Sequence, residues 1–209
     1  MAKFSKRTTS FGQLEKLRVL DQLGNYLSIR IISRFMNTLE EVKKGHLLDL
    51  GSGYHARISA PFFKEFTKVS LVDIQVNPTL LNEYDHTIAY NSDALDALKK
   101  MEQESVDVVL GINVIEHLSN REEIFLEIYR ILKVSGEAII QVPTWRSRRI
   151  LELLAFRFGI IPKDEIEDHK LYFSGNELWV LARSNGFLPS NIKTRYKKFG
   201  LVVTAHLKK

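Results

Sequence analysis

Between Leu14 and Val42 apolar residues return at helical spacing, with Leu20, Leu23, Leu27, Ile31, Phe35 and Leu39 on the repeat. The spacing predicts one or two amphipathic helices, broken or bent near Gly24. After residue 46 the pattern changes to short, mostly apolar runs, at Leu47–Leu50, Val69–Asp73, Val106–Gly111 and Glu137–Val142, with a weaker one at Thr87–Tyr90, and those nearer the N-terminal end do not alternate. Runs without polar alternation suit parallel strands covered on both faces. Helical patterns or short links separate them. Ser119 with Glu122 and Ser174 with Glu177 have capping-box spacing ahead of two helical patterns, and Lys133 to Gly136 reads as a turn into the fifth strand. Phe187–Arg195 and Leu201–Leu207 are strand candidates joined through Tyr196–Gly200, too close for a helical crossover, so they should pair antiparallel. The expected fold is α/β: a Rossmann-like, seven-stranded, mostly parallel sheet with helices on both faces and a C-terminal antiparallel hairpin. Residues 1–43 are expected to form a helical arm or lid and 44–209 the ligand-binding domain, with an inserted cap segment near 144–170.

The stretch His46 to Ala56 organises this pattern. An apolar run carrying Asp49 meets Gly51 and Gly53 one residue apart, and an apolar helical pattern from Ile58 to Phe66 follows. Strand, glycine turn and helix in that order bring backbone N–H groups against a ligand bearing phosphate, carboxylate or ribose oxygens. Asp73 closes the next apolar run 22 residues after Gly51, where an acid can accept both hydroxyls of a ribose. A nucleoside-type cofactor is expected. Gly51-Ser52-Gly53-Tyr54-His55-Ala56 also satisfies the loose dinucleotide pattern, which keeps an NAD-dependent oxidoreductase as an alternative.

Composition changes the picture in three places. The chain has no cysteine, which removes a disulfide scaffold, a thiolate metal site and a thiol nucleophile, and fits a cytoplasmic protein. No apolar run is long enough to span a bilayer, so no stable membrane insertion is expected. The formal net charge of +5 is uneven: from Arg183 to the end there are seven Lys or Arg and no acid. Such a patch suits a phosphorylated or nucleic-acid substrate or an anionic membrane surface.

Taken together, residues 44 to 190 resemble the class I S-adenosylmethionine-dependent methyltransferases, in particular small enzymes acting on metabolites. Leu48-Asp49-Leu50-Gly51-Ser52-Gly53 resembles the family's first motif, Asp73 its ribose-binding acid, and Asn91-Ser92-Asp93-Ala94 the turn whose acid faces the adenine amino group. Val106-Asp107-Val108-Val109 and Asn113 through Leu118 resemble its fourth strand and following loop. His169, Phe173-Ser174, Glu177-Leu178 and Gly186-Phe187 match its late signature. The resemblance implies S-adenosyl-L-methionine as cofactor, with contacts from Asp49, Gly51, Ser52, Gly53, Asp73, Ile74, Asp93, Ala94 and Asn113. Two positions depart from the pattern: His55 stands at a common third glycine, and Ser92 replaces a glycine while being able to cap the next helix.

Methyl transfer needs a nucleophile aligned behind the methyl group and, for a hydroxyl or amine, a proton acceptor. His117, in the loop after the fourth strand, is the leading base candidate, and His169 the second. Neither belongs to a metal-ligand motif, so no metal is expected. Tyr26, Arg30, His55 and Arg146 are the candidate substrate contacts, with Arg148 and Arg149 close behind the last. The function expected is methyl transfer to a small, anionic metabolite, a sugar or lipid precursor. The basic C-terminal hairpin also suits an RNA methyltransferase, and His55 suits an inactive methyltransferase-like binding protein. No residue pattern specifies the acceptor atom or the oligomeric state.

Overall fold

The computed structural model describes residues 19–39, 44–147 and 172–209. The unalternating apolar runs become the centre of one sheet: β1 (His46–Leu50), β2 (Lys68–Asp73), β3 (Thr87–Asn91), β4 (Val106–Ile112) and β5 (Leu132–Pro143), completed by β6 (Ile192–Lys197) and β7 (Val202–Lys208). The order is β3-β2-β1-β4-β5-β7-β6. The first five strands run parallel, while β7 lies antiparallel between β5 and β6. Seven strands, mostly parallel, with a closing hairpin is the expected architecture.

Alternate residues of each strand feed two separate cores. Leu48 and Leu50 of β1, with Ala138, Ile140 and Val142 of β5, pack with α3 (Ala94–Lys99), α4 (Arg121–Ile131) and α5 (Gly175–Ser184). Leu47, Val108, Leu110 and Ile139 face the other way, onto Ile32, Phe35 and Met36 of α1 (Val19–Met36) and onto Phe62 and Phe63. The alternation slips once: Val106 and Val109 share the α4 side because the β4–β5 register shifts between Val106 and Val108. Asp107, in that irregularity, accepts the Lys133 ammonium at 2.7 Å and the backbone N–H of His46 at 2.8 Å.

Several elements differ from the sequence expectation. Helix α1 runs unbroken through Gly24, since burial of Ile32, Phe35 and Met36 on the sheet outweighs one helix-interior glycine. The pattern from Ile58 to Phe66 forms a 3-10 helix, Ala60–Glu65, instead of an α-helix. Six residues must reach back to the start of β2, and the 3-10 rise of about 2.0 Å per residue spans more than the α-helical 1.5 Å. Asn120 precedes α4 and makes no side-chain cap, while the Ser119 hydroxyl donates to the Asn120 Oδ1, so that capping box is absent. The Ser174–Glu177 box is present in full. Asp93, not Ser92, caps α3 by accepting the Leu95 N–H at 2.9 Å. The sixth strand starts only at Ile192, because Pro189 cannot donate to a ladder and residues Pro189–Asn191 form a 3-10 turn. Residues 133–136 lie within β5 as an irregular start, with Ser135 left-handed at φ 66°. Most of the expected cap segment, and with it Arg148, Arg149 and His169, lies outside the described residues.

Two glycines should respond oppositely to alanine. A Cβ added at Gly24 would meet nothing within 4 Å, so Gly24→Ala should stabilise the chain by about 0.5–1 kcal/mol through helix propensity. At Gly51, φ is 74° and a Cβ would overlap the Val114 side chain; Gly51→Ala should lose about 2–4 kcal/mol from left-handed strain plus overpacking. Urea denaturation of the two variants checks both signs, and an unchanged midpoint for Gly51→Ala contradicts the close approach.

Candidate active site at the C-terminal ends of the parallel strands

Strand order reverses between β1 and β4, so the crevice above their C-terminal ends is where an open α/β sheet takes its ligand. The turn after β1 is built for close backbone approach. Gly51 and Gly53 are both left-handed, at φ 74° and 68°, and the Gly51 and Ser52 N–H groups donate to the Val72 carbonyl at 2.8 and 3.1 Å. On the β4 side, Asn113 takes φ 53°, a conformation Asn tolerates well, and the following Val114 packs onto Gly51. The two loops that flank the crevice are therefore in direct contact.

Asp73, at the end of β2, leans over the same turn. Its Oδ2 accepts the Gly53 N–H at 2.8 Å and its Oδ1 accepts the Ile74 N–H at 2.8 Å. The two backbone donors fix the orientation of the acid over the turn. Asp93, half-buried, spends Oδ1 on Leu95, and the neighbouring Ala94 is buried. Ile74 is exposed, and the Ser52 hydroxyl donates to the Gly53 carbonyl at 3.2 Å.

Asp49 lies beneath the turn instead of on its surface. It is buried and receives the Ser59 hydroxyl, whose residue also reaches the Ala56 carbonyl at 3.3 Å. Burial pushes the Asp49 carboxyl up to about 7, against the pull of the Ser59 hydrogen bond and with a further push from the Asp73 charge. The arrangement braces the glycine turn from below. His55 is half-buried, with Nδ1 3.2 Å from the Asn77 amide nitrogen and its ring edge-on to Tyr54 at 4.8 Å. Burial first, and then the Arg57 charge, lower its pKa, which favours the neutral ring that can accept from Asn77.

Beyond β4, His117 ends the 3-10 turn Ile115–His117 and is half-buried, its N–H bonded to the Val114 carbonyl at 3.0 Å. Tyr26 and Arg30 are exposed on α1, with the guanidinium carbon 6.0 Å from the Tyr26 ring centroid. Arg146 is exposed near the end of β5 and lies against Gly200. The crevice thus gathers the Gly51 turn, Asp73, Asp93 and Asn113, while Tyr26, Arg30 and Arg146 belong to elements that border the hairpin end of the same edge.

Four residues of this edge are not among the site candidates that the sequence offers. Gln141 projects from β5 towards α1, where its strand neighbour Ile139 is apolar. Its Nε2 donates to Ser28 Oγ at 3.0 Å and to Asn113 Oδ1 at 3.3 Å, and its backbone carbonyl accepts the Asn113 N–H at 2.8 Å. Lys198, from the β6–β7 turn, donates to the same Ser28 Oγ at 2.8 Å and to the Gly24 carbonyl at 3.0 Å. Burial pulls the Lys198 ammonium down to about 8. A polar chain thus runs from the loop after β4, through β5 and α1, to the hairpin. Glu116 is 0 % exposed, and neither of its carboxylate oxygens has a partner among the other described residues. The signals were present but faint: a Gln inside the apolar run Ala138 to Pro143, and an acid inside Val114-Ile115-Glu116.

A cavity of about 630 Å³ opens between α4 and α5, lined by Arg121, Glu122, Phe173, Glu177 and Val180 among others. None of its lining residues belongs to the Gly51, Asp73, Asp93 or Asn113 turns, so it is separate from the crevice. The chemistry-bearing turns lie at the switch point of the sheet, which makes this crevice the candidate site.

Residues 48–140 match the family model described as a methyltransferase domain. A ubiquinone biosynthesis O-methyltransferase from Rickettsia canadensis (strain McKiel) is 23% identical over 171 residues, covering 78% of this chain and 71% of the relative. The corresponding protein of Rickettsia prowazekii (strain Madrid E) is 27% identical over 146 residues, covering 68% of this chain and 55% of its own length. Among solved structures, a SAM-dependent methyltransferase from Archaeoglobus fulgidus superposes with a TM-score of 0.65 at 18% identity, covering 88% of this chain and 94% of the other.

Glu116 makes the site's stability dependent on pH. Burial pushes its carboxyl from 4.5 up to about 8, so the folded chain holds a proton that the unfolded chain releases. Its contribution is fully present below about 4.5 and is lost as pH rises through about 8. Urea titrations across this window should show wild type losing stability relative to Glu116→Gln by about 1.4 kcal/mol per pH unit at steepest. A difference between the two that does not change with pH contradicts the buried, protonated carboxyl.

Proposed function

We propose that the chain is a class I S-adenosylmethionine-dependent methyltransferase and that it methylates a hydroxyl of a small anionic metabolite of the sugar or lipid-precursor type. The observation that carries the cofactor half of this reading is Asp73, whose two oxygens are aimed by the Gly53 and Ile74 N–H groups above a glycine turn with no long side chain of its own. When bound, S-adenosylmethionine supplies an electrophilic sulfonium methyl group.

The residues fit such a group. Asp73 would accept the ribose hydroxyls, and Asp93 would accept from the adenine amino group with the oxygen not used on Leu95. The Gly51–Gly53 backbone would pass beneath the amino-acid portion, held from below by Asp49 and Ser59. Asn113, pinned by Gln141, would sit beside the reacting end, so this polar pair would help keep the acceptor in line. His117 would take the hydroxyl proton, a role suited to an imidazole near neutral pH. His55 is engaged by Asn77 and Tyr54, which supports a competent turn and counts against an inactive relic. The antiparallel β7 inside the sheet counts against a nicotinamide enzyme, whose doubly wound sheet continues with parallel units.

Support for the acceptor comes from Arg30 and Arg146, two exposed cations on elements at the hairpin end of the same edge, and from the O-methyltransferase description of both curated relatives. Incubating the protein with isotopically labelled S-adenosylmethionine and a small-molecule cell extract, then identifying the labelled product by mass spectrometry, tests it directly. A labelled product without an anionic group, or one labelled on carbon or nitrogen, overturns the acceptor assignment.

Cofactor binding and chemistry should separate by mutation. Calorimetry with S-adenosylhomocysteine should show Asp73→Ala weakening affinity by about 10- to 100-fold, the loss of hydrogen bonds to a charged acceptor. His117→Ala should leave that affinity within a few fold and lower turnover by about 10²- to 10⁴-fold. Full turnover in His117→Ala across neutral pH removes the base assignment and leaves alignment alone as the source of rate.

A further inference from the structure

The turn between β6 and β7 reverses the usual placement of its residues. Lys198, Phe199 and Gly200 are successively left-handed, at φ 50°, 57° and 83°. This backbone sends the Lys198 ammonium inward to Gly24 and Ser28, and leaves Phe199 100 % exposed, more than any other large apolar residue among those described. An inward-turned cation beside a fully hydrated phenyl ring is the opposite of what a water-facing turn selects. Left-handed backbone at two residues bearing Cβ atoms adds strain to the same arrangement.

Its position is as informative as its exposure. The Thr144 hydroxyl donates to the Gly200 carbonyl at 2.6 Å and Lys197 pairs with Val202, which itself pairs with Pro143, so the turn stands at the C-terminal edge of the parallel strands. Trp145, 47 % exposed, follows Thr144 at that edge, and Leu23, 52 % exposed, precedes the Gly24 that Lys198 reaches. Lys193, Arg195 and Lys197 alternate along one face of β6, the last strand of the sheet. No acid lies between Arg183 and Lys209 to neutralise them.

We propose that this edge docks peripherally on an anionic lipid bilayer: Phe199, with Trp145 and Leu23 beside it, enters the boundary between headgroups and acyl chains, while Lys193, Arg195 and Lys197 face the lipid phosphates. The charge of the edge strand complements an anionic surface, and the apolar tip supplies the second signal that stable surface binding requires. No helix among the described residues is long and apolar enough to cross a membrane, and the docking is at the surface only. The proposal goes beyond the methyl-transfer reading and does not depend on it. It places the mouth of the crevice against the lipid phase, so that an acceptor with an apolar tail reaches the site without crossing water.

Co-sedimentation of the full chain with large vesicles tests this, using phosphatidylcholine alone and phosphatidylcholine mixed with phosphatidylglycerol. Binding is expected only to the mixed vesicles. Phe199→Asn, which suits the left-handed backbone and should melt with wild type, is expected to weaken it by about tenfold. Lys193→Gln and Arg195→Gln should each weaken it by about fivefold and flatten its salt dependence. Phe199→Trp should retain binding, with its added indole emission shifting to the blue on vesicles. Equal binding of wild type and Phe199→Asn, or equal binding to neutral vesicles, overturns the proposal. So does retention on single-stranded RNA that displaces the vesicles, which would make the basic strand a nucleic-acid surface. None of these outcomes bears on whether Asp73 holds the cofactor.

Discussion

The contact between Val114 and Gly51 is the constraint on which the site depends. Strand order reverses at the β1–β4 junction, so the loops leaving these strands diverge to opposite faces and open a crevice between them. Val114 nevertheless reaches across and lies where any side chain at residue 51 would be. This sets the depth of the crevice at its floor. The left-handed Asn113 makes that reach possible, and Gln141 holds Asn113 by both its amide and its carbonyl. Disturbing any of the three moves the floor on which a ligand would rest.

Below and beside this floor the protein keeps polar groups in places where apolar ones would be more stable. Asp49 and Glu116 are both buried acids with raised pKa values, and they are dealt with differently. Asp49 has the Ser59 hydroxyl and a turn to brace. Glu116 has no partner side chain among the described residues, so its carboxyl stays protonated at neutral pH to avoid an isolated buried charge. An unpaired buried group is costly, and such groups concentrate where function overrides stability.

The sequence made the central sheet legible because parallel strands buried on both faces leave an unmistakable pattern, and Leu47–Leu50, Val69–Asp73 and Val106–Gly111 carry it plainly. The glycine turn and the acid 22 residues on were legible for a related reason: each answers to a local backbone requirement. What could not be read was whatever depends on distant pairing. Nothing near Gly24 announces that its carbonyl binds Lys198, so the glycine reads as a helix break when it is a docking point. Ser119 carries the right spacing for a cap, yet the start of α4 one residue later leaves its hydroxyl on Asn120. Gln141 reads as a blemish in an apolar strand until Ser28 is seen opposite it.

The hydrogen bond from Lys198 to Ser28 joins residues 170 positions apart, and this has a temporal meaning. At a synthesis rate of about 5–20 residues per second, α1 leaves the ribosome roughly 10–30 s before the lysine that fastens it. Throughout that interval the apolar face formed by Ile32, Phe35 and Met36 has the growing sheet to pack on, but its Ser28 end lacks the latch. The parallel strands can assemble first, whereas the rim of the crevice can close only after the hairpin has been made. A nascent chain therefore acquires its core well before it acquires a finished binding edge, and the last step of its maturation is the docking of its first described helix by almost its last turn.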